Sequence, residues 1–232
     1  MTTESISRDV VLEAPETATR TRMGLLAIVL GLTAIAAVPA GVLWPEPAGG
    51  SGTYAYADIL GKRELWWWLL TFLAVLQVCN VPLQALATMS LVRRRGSAWA
   101  TFGGALMWLG CGLQAAGIAL WAAAYYFPAD PSVSRAAGTA MFDVVNNDIS
   151  HIFAVMLPGA LLVILGTILQ AVALFRAKVV PVWVPVLTLF SVATLVVPGN
   201  GFAGMITSIP MAAGAVAVGY YAWRGTPSRT DV

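Results

Sequence analysis

Five stretches of this 232-residue chain contain no Asp, Glu, Lys or Arg: Met23–Pro45, Leu65–Val92, Gly96–Ala129, Ile149–Phe175 and Val179–Trp223. An α-helix rises about 1.5 Å per residue, so roughly 20 apolar residues cross the hydrocarbon core of a bilayer. The first four stretches hold one crossing each. The fifth is long enough for two, and Pro198-Gly199-Asn200-Gly201 interrupts it with residues that favour a turn. The pattern predicts an all-α polytopic membrane bundle of six helices near 23–44, 66–92, 98–127, 149–175, 179–197 and 202–223. A closed barrel would instead show short segments of alternating polarity, which the chain lacks. Composition agrees: 59% of residues are apolar and 10% charged, against about 25% charged in soluble domains.

Lysine and arginine beside spans stay on the cytoplasmic side. With both termini inside, the cytoplasmic segments carry Arg8, Arg20, Arg22, Arg93, Arg94, Arg95, Arg176, Lys178, Arg224 and Arg229, and the outer loops keep Lys62, Arg63 and Arg135. A bacterial inner-membrane protein with cytoplasmic N- and C-termini is therefore expected. The Arg93-Arg94-Arg95 run directly follows a span, so it reads as a topology anchor rather than a nucleic-acid site. Residues 1–22 are polar and lack apolar periodicity, which predicts a disordered cytoplasmic tail. The transmembrane domain then covers 23–223 and a second cytoplasmic tail 224–232. Val38-Pro39-Ala40 has the look of a signal-peptidase site, but the apolar run before it is long and follows an acidic segment, so the first helix is expected to be retained. Cys79 and Cys111 lie inside helices and read as small packing residues.

Several polar clusters bear on function. Gln77, Asn80, Gln84 and Thr88 share one face of the second predicted span. They must face the bundle interior, either to hold helices in register or to line a polar cavity together with Gln114 and Gln170. Gly103, Gly110 and Gly117 recur every seven residues on the third span, which suits close helix packing or a groove for an acyl or prenyl chain. Two long outer connections, about 45–65 and 128–148, are the places for specialised work. The first opens with Trp44-Pro45-Glu46-Pro47-Ala48-Gly49-Gly50 and closes on Trp66-Trp67-Trp68, either an interfacial belt or the roof of a pocket. The second ends in Asp143-Val144-Val145-Asn146-Asn147-Asp148-Ile149-Ser150-His151. If helical, Asp143, Asn147 and His151 share a face, and a carboxylate beside this single histidine could relay a proton. Capping of the following helix is the plainer account.

One histidine and scattered acids are too few for zinc, iron or bis-histidine haem, and no phosphate loop, dinucleotide fingerprint or nucleophile elbow is present. No metal or cofactor is expected. The absence of charge deep in any span also argues against an ion-coupled carrier.

In size, helix count, outer carboxylates and tryptophan content the chain resembles small membrane-bound terpenoid cyclases, and also six-helix bacterial membrane proteins of uncharacterised families. It has neither Asp-x-Asp-Asp nor Asp-Asp-x-x-Asp, the motifs of soluble terpene cyclases. The cyclase resemblance implies an intramembrane pocket for a lipophilic, isoprenoid substrate, protonated by a buried acid and then stabilised as a carbocation by aromatic faces. Asp143, Asp148, Glu64, Asp58 and His151 are the candidate proton-transfer groups. Trp66, Trp67, Trp108, Trp121 and Tyr125 are candidate ring surfaces, with Gln77, Asn80, Gln84 and Asn147 as polar ligand contacts. The alternative expectation is a non-enzymatic accessory, transport or sensing subunit. The expected partners are the bilayer and a lipophilic small molecule, with no nucleic acid; a protein partner is not legible.

Overall fold

The structure is a computed structural model that describes residues 3–43, 53–196 and 201–225. The Trp44–Gly50 loop opening, Pro198, Gly199 and Asn200, and the Thr226–Val232 tail lie outside the described residues. Those described form eight helices and no strand: α1 (Thr3–Leu43), α2 (Tyr56–Leu60), α3 (Arg63–Leu91), α4 (Ser97–Tyr126), α5 (Arg135–Asn147), α6 (Ile149–Ala177), α7 (Trp183–Val196) and α8 (Gly201–Arg224).

Four of these are long and apolar enough to cross a membrane: Ala18–Ala40 within α1, and all of α3, α4 and α6. Large apolar side chains such as Leu32, Leu109 and Leu161 lie exposed around the bundle. Water would disfavour such a surface and lipid would not, which marks a membrane protein. The shorter α7 and the following α8 are connected by four residues and pair antiparallel: Gly214 abuts Leu187, and Tyr221 meets Trp183 at 6.3 Å.

Helical segments also lie outside the six expected spans. The first helix begins at Thr3, within the segment expected to be a disordered tail. Extending an existing helix adds one hydrogen bond per residue without a new nucleus, so the apolar span can carry a polar extension. The second long connection contains a helix, α5. Ser134 caps α5 by accepting the Ala137 N–H at 3.3 Å.

The tightest packing joins α4 to α6. Gly103, Gly110 and Gly117 of α4 meet Gly166, Gly159 and Met156 of α6, so the two helices run antiparallel, and the Gly103–Gly110 spacing of seven is matched by Gly159–Gly166. A Cβ at Gly110 would lie 2.6 Å from the Gly159 carbonyl oxygen, and one at Gly166 would lie 2.5 Å from that of Gly103. Backbone therefore fills the glycine groove, and close helix packing is its role. Gly96, at φ +95°, makes the tight turn from α3 into α4, where a side chain would be strained and would crowd the Ala173 carbonyl.

Buried side chains gather at the two ends of the bundle. One cluster, with Leu30, Val92, Leu174, Val184 and Val218, lies toward the end that carries Arg20, Arg22, Arg93, Arg94, Arg95, Arg176, Lys178 and Arg224. The other, with Tyr54, Trp66, Trp121, Tyr125 and Phe142, lies at the end that carries most of the acids. A small apolar cluster of Val81, Ala85, Met107, Cys111 and Val163 sits between them.

Candidate functional site

Beside that middle cluster the helices border a partly open cavity of about 330 Å³. Six helices supply its walls: Thr33 from α1, Gln77, Asn80 and Gln84 from α3, Met107 from α4, Thr167 from α6, Ser191 from α7 and Ser208 from α8. Leu73, Leu76, Val81, Val163 and Met211 complete an otherwise apolar lining. The three amides reach the same space because spacings of three and four residues keep them on one helical face. No Asp, Glu, Lys, Arg or His lines it.

The amides divide their work. The Gln77 Nε2 group donates to Oε1 of Gln114 on α4 at 2.5 Å. Asn80 donates to the Thr33 hydroxyl on α1 at 3.1 Å, and that hydroxyl donates back to the Val29 carbonyl at 2.9 Å. Both pairs hold neighbouring helices in register. Gln84, only 7% exposed, faces the cavity and makes no hydrogen bond to another described residue. Gln170 and Thr88 do not line the cavity. Gln170 is fully buried and donates to the carbonyls of Ala85 and Ala100 at 3.2 and 3.3 Å, joining α6 to both α3 and α4. Both readings of the polar face thus apply, and Gln77 and Asn80 carry both, lining the cavity while bonding to neighbouring helices.

At the acidic end most of the candidate rings form a packed core. Tyr54 lies among them, its ring centroid 4.7 Å from Trp66, 5.5 Å from Tyr125 and 6.2 Å from Trp121. Edge-on contacts of this kind suit aromatic quadrupoles. Trp67 stacks outside this core on Tyr126 at 4.9 Å, and Trp108 is half-exposed on the outer side of α4.

The residue that closes the aromatic core is Asn146. Its Oδ1 accepts from the Tyr125 hydroxyl at 2.6 Å, and its Nδ2 donates to the Tyr54 carbonyl at 3.0 Å. Asn147, the sequence candidate, is exposed. The one-residue difference follows from α5: a 13-residue amphipathic helix turns Phe142 inward and Asn146 one turn later, leaving Asp143 and Asn147 outward.

The carboxylates lie at the surface. Asp143 and Asp148 are exposed, as is His151. They do not share one helix face, because α5 ends at Asn147 and α6 starts at Ile149, the chain changing direction at Asp148 (φ −108°, ψ 21°). Asp58 accepts the Ala55 N–H at 2.9 Å at the start of α2. Glu64 accepts from the Tyr126 hydroxyl at 3.0 Å.

Beside Glu64 sits an ionic clasp that charge patterning alone does not reveal. Arg63 at the start of α3 pairs with Asp130 at 2.7 Å, donates to the Tyr126 carbonyl at 3.2 Å and lies 4.0 Å over the Tyr126 ring. Hydrogen bonds from the Ser132 hydroxyl and backbone N–H, with the Arg63 charge, hold the Asp130 carboxyl below its ordinary range. Among the described residues no group of three or more His, Cys, Asp or Glu comes together as a metal site.

No protein-family model, curated protein or solved structure matches this chain.

Proposed function

We propose that the chain is a six-span protein of a bacterial inner membrane, its arginine-rich end in the cytosol, which binds a neutral lipophilic molecule in the cavity between its helices. The observation that carries this reading is Gln84. Its amide opens onto the cavity, where a water or the hydroxyl or carbonyl of an occupant can hydrogen-bond to it. A volume of about 330 Å³ falls at the lower end of the range of roughly 300–1,000 Å³ for ligand pockets. Aliphatic walls and uncharged polar groups select a ligand with an apolar body and a hydroxyl or carbonyl. An isoprenoid alcohol fits that description.

Binding is better supported than acid-initiated cyclisation. Asp58, Glu64, Asp143, Asp148 and His151 are all outside the cavity, and Trp66, Trp121 and Tyr125 pack on one another rather than around a cleft. An acid must reach the proton acceptor to transfer a proton. A binding role places the protein with transport or sensing subunits.

The test is photocrosslinking of the full chain in lipid nanodiscs with a diazirine-bearing geranylgeraniol. Label is expected on the 73–84 and 208–211 segments, competed by unlabelled alcohol, with apparent affinity falling about fivefold in Gln84→Leu, as for loss of one hydrogen bond of about 1 kcal/mol. Label spread over the lipid-facing surface and indifferent to Gln84→Leu would refute the reading.

A further inference from the structure

A second concavity, of about 450 Å³, opens at the arginine-rich end. Ser90 and Arg93 bound it at the end of α3, Val179 at the connection from α6 to α7, and Tyr221 and Arg224 at the end of α8. Arg93 donates through Nε to the Ser90 carbonyl at 3.1 Å, and Arg224 donates through one terminal nitrogen to the Tyr220 hydroxyl at 3.3 Å. Each guanidinium is thus steadied by one contact and keeps further N–H donors. Among the described residues neither has a carboxylate partner, Arg63–Asp130 being the only ion pair there.

The surroundings reinforce the charge. Arg20, Arg22, Arg94, Arg95, Arg176 and Lys178 belong to the same end, and residues 85–100 and 172–225 contain no acid; the acids of α1, Glu4, Asp9, Glu13 and Glu16, precede Arg20 on a different helix from Arg93 and Arg224. The carbonyl ends of α3 and α8 meet here and oppose an anion, but half a charge from each helix is small beside these cations. A guanidinium matches the planar spacing of phosphate oxygens.

We propose that this groove holds the phosphodiester of an anionic phospholipid between Arg93 and Arg224. The lipid source is favoured over a soluble phosphate because Leu91, Val179 and Tyr221 give the site apolar walls for the glycerol and first chain carbons. This site is independent of the neutral-ligand cavity, whose lining shares no residue with it.

The experiment is native mass spectrometry of the full chain in neutral detergent, titrated with phosphatidylglycerol, phosphatidylcholine or glycerol phosphate. A surface arginine contributes about 1 kcal/mol toward an anionic headgroup, a factor of about five. Wild type is expected to retain phosphatidylglycerol over phosphatidylcholine, and R93Q/R224Q to lose roughly twenty-five-fold in apparent affinity. R94Q/R95Q removes the same net charge outside the groove and is expected to lose much less. Single variants R93Q and R224Q, each about fivefold weaker, carry the test if the double variant does not fold. Equal retention of the two lipids, equal loss in both double variants, or glycerol phosphate binding as tightly as the lipid would overturn the proposal.

Discussion

Primary amides within this bundle meet three fates, set by what lies opposite each one. Gln170 is spent on backbone carbonyls of two neighbouring helices, Asn146 on a tyrosine hydroxyl and a loop carbonyl, and Gln84 on the cavity. Replacing Asn146 with Leu strips the Tyr125 hydroxyl of its acceptor and the Tyr54 carbonyl of its donor, so thermal unfolding in detergent is expected to show a loss of about 1–3 kcal/mol. Gln84→Leu removes an amide that makes no hydrogen bond to another described residue. Ligand-free protein is expected to keep or gain stability, up to about 1 kcal/mol, while the same variant binds ligand less well. Asp130 gives a pH prediction. Its folded pKa lies below the unfolded value, so its contribution is fully present above the usual carboxylate range and is lost as pH falls through the folded value. Acid titration below about pH 4 should therefore destabilise the wild type more than Asp130→Asn, with the difference shrinking in high salt.

Between elements, the α4–α6 contact depends on the absence of side chains. Adding a methyl at Gly110 sets it against the Gly159 carbonyl and the Val163 nitrogen, atoms of backbone that cannot rotate away. Gly110→Ala is expected to cost about 1–3 kcal/mol of unfolding free energy. Gly112, two residues on, has open space where its Cβ would be. Gly112→Ala should be neutral or stabilising by up to about 1 kcal/mol, since alanine is the better helix former. The seven-residue glycine period made half of this contact legible in the sequence. Gly159 and Gly166 have the same period on α6, but which helix faces which depends on the bundle and not on either helix alone.

Across the whole molecule, charge is divided between two ends. Eight cations mark one end of the 18–225 segment, preceded on α1 by Glu4, Asp9, Glu13 and Glu16; Asp58, Glu64, Asp130, Asp143 and Asp148 with three cations mark the other. Membrane insertion that retains the cationic end in the cytosol predicts that a phosphatase reporter fused within 128–134 is active outside, and one fused after Gly225 is inactive. Activity of the second fusion would reverse the proposed orientation. The reporters address the orientation and leave the ligand cavity to the crosslinking experiment.

The linear order of residues was enough to place the long apolar helices, though not α2 or α5, and to show that the chain belongs in a membrane. Both follow from local quantities: the length of uncharged runs and the cost of burying charge in lipid. It also placed Gln77, Asn80 and Gln84 on one inward face, because periodicity is a property of a single helix. Only the tertiary structure decided which of those amides found partners, that Trp66, Trp121 and Tyr125 closed around Tyr54, that Asn146 rather than Asn147 turned inward, and that Arg63 met Asp130. Each of these depends on two or more segments far apart in the chain, whose approach is set by the shape of the assembled bundle and not by the spacing of residues along any one helix.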